Sequence, residues 1–88
     1  MTTQEFEKKL LHAHGKTTLY DFDFMMLKIA DTPKNYIISI SLNAFSEDFA
    51  TKFQRPYIPV MHIKKPATEE YVKEKACEYI TYLQTNQK

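Results

Sequence analysis

The run Tyr36-Ile37-Ile38-Ser39-Ile40-Ser41-Leu42-Asn43-Ala44 constrains this chain more than any other stretch. Successive side chains of a strand point to opposite faces. Ile38, Ile40, Leu42 and Ala44 therefore share one face, and Ile37, Ser39, Ser41 and Asn43 share the other. A wholly apolar face opposite a mostly small, polar one suits an antiparallel sheet with one side buried and one wet. The remaining segments need that apolar face as a surface to pack on.

Upstream, Thr2 and Glu5 form the S/T-x-x-E arrangement in which two orphan amide donors at a helix start are satisfied reciprocally. Phe6, Leu10 and Ala13 follow at helical spacing, with Leu11 beside them. Gly15 stands where a helix would end in a left-handed residue. The spacing predicts a first helix over Thr3 to His14. Thr17 to Ile29 alternates, with Tyr20, Phe22, Phe24 and Met26 on one parity and Asp21 and Asp23 on the other. It reads as one strand with an inward aromatic face. Asp31-Thr32-Pro33-Lys34-Asn35 is a turn, so the first two strands make a hairpin.

Downstream, Ser46-Glu47-Asp48 looks like a helix cap with an acidic first turn, and Phe45, Phe49 and Phe53 would line one side of a short helix. Tyr57 to Lys64 is a third strand. Pro59 within it has no amide hydrogen, which places it at a sheet edge. Thr68 caps a last helix whose core stripe is Val72, Ala76, Tyr79, Ile80 and Leu83, with residues Gln84 to Lys88 fraying. The expected fold is α+β, in the order α-β-β-(short α)-β-α. A three-stranded antiparallel sheet would carry both long helices on one face.

A chain of 88 residues makes one domain, spanning residues 1–88. Six Phe and six Tyr within a 43% hydrophobic composition can build a core, so a globular chain is expected rather than a disordered one. The formal net charge of +1 lacks the basic excess of a nonspecific nucleic-acid binder. The lone Cys77 excludes an intrachain disulfide and a thiolate-rich zinc site, and it fits a reducing compartment. The polar start Thr2-Thr3-Gln4-Glu5 is no signal peptide, and no apolar run reaches ~20 residues. The expectation is a soluble cytoplasmic protein.

Few residues suggest chemistry. On a helix, His12 and His14 would point about 200° apart, at ~100° per residue, and could not share a metal unless that turn became extended. Asp21 and Asp23 would stand ~7 Å apart on a strand, a spacing open to hydrolysis or a hard cation, yet without a third group nearby in sequence they form a wet strand face. Cys77 has Lys73 one turn before it, but no base is near in sequence, so it reads as a structural thiol. With one glycine there is no phosphate-cradling loop. Glu70, Glu74 and Glu78 make a solvated acidic ridge. No enzyme, metal or cofactor is therefore expected.

Two surfaces remain. Tyr71, Lys75 and Tyr82 lie to one side of the last helix's core stripe, and tyrosines gather where binding energy concentrates. They point to a non-enzymatic protein acting through protein–protein contact, regulatory or self-associating as a homodimer. Lys52, Arg55, Lys64 and Lys65 form the alternative, a basic margin for nucleic acid. The helix-strand-strand-strand-helix order is similar to that of double-stranded-RNA-binding domains, where basic residues at the start of the last helix meet phosphates. Lys64-Lys65-Pro66-Ala67-Thr68 stands at that position, although Glu69-Glu70 follows where that family has more lysine, and its Gly-Pro-x-His loop is missing.

Overall fold

Connections of two or three residues join the first four strands of the sheet. The structure is a computed structural model and describes residues 1–22, 25–42 and 56–86. Helix α1 (Thr3–Glu7) leads into β1 (Leu10–His14), β2 (Thr17–Asp21), β3 (Met25–Asp31), β4 (Asn35–Leu42) and β5 (Ile58–Lys64), and helix α2 (Glu69–Asn86) closes the chain. Each strand pairs antiparallel with the next, giving the order β1-β2-β3-β4-β5. The expectation of three strands under two long helices is thus corrected, among the described residues, to five strands, one short helix and one long one.

The first correction lies in α1. The Thr2–Glu5 capping box is present: Thr2 N donates to Glu5 Oε1 at 2.9 Å and Glu5 N donates to Thr2 Oγ1 at 3.1 Å. The helix nevertheless ends at Glu7, and Leu10 to His14 pair with β2. Leu10 lies opposite Tyr20 and Ala13 opposite Thr18, with a register shift between Leu10 and His12. That bulge keeps Leu10 and Ala13 on one face although they are three residues apart, a spacing a regular strand would split. A bulged strand has here imitated helical periodicity. Gly15 does take the left-handed conformation, with φ 58°, but in the two-residue hairpin loop between β1 and β2.

The second correction is the reversal between Phe22 and Met25, where Phe22 N donates to Met25 O at 3.0 Å. The expected single strand from Thr17 to Ile29 is two. The reversal also exchanges parity. Tyr20, Phe22, Met25, Leu27 and Ile29 join the helix-side core, whereas Met26 passes to the far face with Leu19. Phe24, expected in the core, lies outside the described residues, as does the expected helix following Phe45.

On the near face, α2 lays Val72, Ala76, Cys77 and Ile80 onto Leu27, Ile38 and Ile63, with Ile40 and Leu83 half-buried at the margin. Phe6, with no exposed surface, packs with its ring centroid 4.4 Å from Tyr20 and 5.5 Å from Phe22. The far face is not wet at its centre: Ser39 and Ser41 are 3% and 4% exposed, beside buried Leu19 and Met26, with Tyr57 packed against them. The turn before β4 forms as expected. Thr32 N donates to Asn35 O at 2.9 Å, and Asn35 N donates back to Thr32 Oγ1 at 3.1 Å. Strand β5, with Pro59, is an outer strand among the described residues, as expected. Thr68 caps α2, accepting from Tyr71 N at 3.1 Å, and α2 runs to Asn86.

Candidate functional site

The outer strand β5 and the first turns of α2 run side by side and leave a groove of about 690 Å³ between them. Met61, Ile63 and Ala67 supply apolar wall, and His62, Lys64, Tyr71 and Lys75 supply its polar rim. The position of Tyr71 follows from local helix geometry. Core residues Val72 and Ala76 face the sheet, so the positions one before each turn toward β5. Tyr71 is 45% exposed and Tyr82 is 62% exposed. Lys75 Nζ stands 5.4 Å from the Tyr71 ring centroid and 3.6 Å from Glu78 Oε2. Tyr82 follows Tyr71 by about three turns on the same stripe, beyond the groove. Ile58, 65% exposed, sits at the start of β5.

Of the basic margin, Lys64 and Lys65 lie among the described residues. Lys64 is exposed and lines the groove. Lys65 is half-buried, pairs with the Asp31 carboxylate and lies 4.7 Å over the Tyr36 ring. Its charge is engaged inside the molecule. Lys52 and Arg55 lie outside the described residues. The element order that suggested a double-stranded-RNA-binding arrangement is replaced by the five-stranded one.

A second hollow, of about 220 Å³, opens between the β1–β2 hairpin and the start of α2. Leu10, Tyr20, Asp31, Glu69 and Lys73 are among its walls. Burial pushes the Tyr20 hydroxyl above the ordinary tyrosine range; Lys73 opposes this, and Glu7 and Glu69 add to it. The hydrogen bond to Glu7 at 2.8 Å holds the Lys73 ammonium above its usual value, against a smaller effect of burial. At neutral pH the tyrosine stays protonated and the lysine charged, so neither serves as a general base. Sequence reasoning missed this hollow because separate elements contribute its walls, and no local pattern joins Leu10 to Glu69.

The other candidates are placed as follows. His12 and His14 lie on one face of strand β1, not on a helix, with ring centroids 5.9 Å apart. The helical argument against their sharing an ion therefore fails. His62 is on β5, at the opposite edge of the sheet. Asp21 is half-buried on β2, and Asp23 lies outside the described residues. Cys77 is buried, and its thiol donates to Met1 O at 3.3 Å. Glu70, Glu74 and Glu78 are exposed along α2. Among the described residues no helix is long and apolar enough to cross a membrane. The chain matches no protein-family model, no curated protein and no solved structure.

Proposed function

We propose that the protein is a non-enzymatic binding module that accepts an extended, acidic and apolar segment of a partner protein between β5 and α2. The observation that carries the reading is the groove itself. It joins the backbone edge of an outer strand to exposed Tyr71 and to Lys64 and Lys75. An outer strand presents unpaired N–H and C=O groups, and an extended peptide can add to it as a further strand. The alternate side chains of such a peptide would meet Met61 and Ile63 on one side and the tyrosine ring on the other. The groove walls carry lysines and no carboxylate among the described residues, which favours an acidic segment and sets register and on-rate more than affinity.

Selection of the intact protein against a random peptide library tests this. The expected result is enrichment of Asp or Glu alternating with aliphatic or aromatic residues. Lys75→Glu and Tyr71→Ala should each weaken the selected peptide at least about tenfold, which is ~1.4 kcal/mol. No enrichment, or binding indifferent to both substitutions, overturns the reading. Tight oligonucleotide binding at physiological salt that is lost in Lys64→Glu would favour the nucleic-acid alternative.

A further inference from the structure

The two imidazoles of β1 have no part in the groove at the far edge of the sheet. His12 lies opposite Leu19 and His14 opposite Thr17, so both stand on the face turned away from α2. Their ring planes are 23° apart at the 5.9 Å centroid spacing. Zinc takes imidazole nitrogens at ~2.0–2.1 Å and completes a tetrahedron of four ligands. Two near-parallel rings on one strand face can turn one nitrogen each toward a shared ion. In most metal-bound histidines the other ring nitrogen is held by a hydrogen bond. Among the described residues, no three His, Cys, Asp or Glu side chains gather to hold a metal. One chain therefore offers half of a coordination set.

Symmetry can supply the other half. Among the described residues β1 is the outermost strand on its side, exposed at Leu10, Leu11, Ala13 and His14 and half-buried at His12. Leu10 to His14 contains none of the lysines or prolines that usually blunt an open edge. Antiparallel pairing of two copies about a two-fold axis through Ala13 sets His12 against the partner's His14, and His14 against the partner's His12. Directly opposed side chains have Cβ atoms about 4.5–5.5 Å apart, so four imidazoles meet on one face. An axis through His12 fits worse. It would set Leu10 against the partner's His14, and the bulge has placed those two residues on opposite faces.

We infer that the β1 edge is a transition-metal site completed by a second copy of this chain, with a zinc-like ion held by His12 and His14 of both. The regular part of β1 is only His12 to His14, so backbone pairing alone falls well short of a stable interface of ~1,600 Å². Association therefore depends on the ion. The site is independent of the β5 groove.

Sedimentation of the full chain, with EDTA or with zinc, tests this. Zinc should double the mass at one ion per two chains, and EDTA should restore the monomer. His14→Ala should abolish the doubling, and His62→Ala should leave it intact. Ala13→Lys keeps both imidazoles but sets two like charges at the axis. It should bind zinc at least about tenfold more weakly, without doubling. Circular dichroism checks that each variant is folded. No zinc uptake, one ion per chain at unchanged mass, a dimer that persists in EDTA, or doubling retained in His14→Ala would overturn the inference.

Discussion

Phe6 joins the short helix to the sheet, and its ring reaches both Tyr20 and Phe22 without exposed surface. Truncation would leave a cavity that two helices and a sheet cannot all close upon. Phe6→Ala should cost about 3–5 kcal/mol in urea unfolding, a large share of the stability of such a domain. A loss below about 1 kcal/mol would mean that α1 is an accessory rather than part of the core. Tyr20 predicts a pH dependence. Burial raises its value in the folded state, so the folded protein holds the phenolic proton more tightly than the unfolded chain does. Stability from this group is fully present below the ordinary tyrosine value of ~10 and is lost as pH rises through the raised folded value. Lys73, raised mainly by its hydrogen bond to Glu7, acts with the same sign in the same alkaline window. Urea midpoints at about pH 9 and about pH 11 should fall more in the wild type than in Tyr20→Phe. Parallel decline of the two would exclude the hydroxyl as a cause.

At the scale of elements, the β1–β2 hairpin depends on one residue. Gly15 has φ 58°, and an added Cβ there meets nothing within 4 Å, so backbone strain is the only penalty of substitution. Gly15→Ala should cost about 1–2 kcal/mol, and Gly15→Asn should recover part of that because asparagine tolerates the left-handed region. Equal stability of the two variants would contradict this account. The consequence extends past the turn, because the hairpin presents the His12–His14 pair and one wall of the smaller hollow. Weakening the turn should loosen β1 first, which amide exchange along Leu10 to His14 would register.

Among the described residues the sheet has an outer strand at each side, β1 and β5, and a helix layer over one face. Tyr82, exposed on α2 beyond the groove, tests how far the proposed binding surface extends. Tyr82 is largely exposed, so the thermal stability of Tyr82→Glu should stay within ~0.5 kcal/mol of wild type, while a groove-binding peptide long enough to reach that turn should lose affinity. Melting curves and peptide titration of the same preparation separate the outcomes. An unfolded variant would make Tyr82 a structural roof, and unchanged binding would end the surface at Lys75.

Alternation along Tyr36 to Leu42, the Thr2–Glu5 cap, the Thr32–Asn35 turn, the outer position of the Pro59 strand and the apolar stripe of α2 were all legible in the residues. Each depends on chemistry within a few positions, which local spacing records. The contribution of Leu10 to Ala13 was not legible, because a bulge lets a strand imitate a helix, and only pairing with Tyr20 and Thr18 distinguishes them. Nor was the reversal at Phe22, since alternation continues across it in sequence while the faces exchange in space. Tyr71 and Lys75 were singled out by helix phase alone, and their meeting with Lys64 across a groove required β5 to lie beside α2. The histidine pair was set aside on helical geometry and came to share one strand face once the sheet claimed its segment. Local propensity determined which segments could be helix or strand; long-range hydrogen bonding and burial decided between them, and so decided which side chains share a surface.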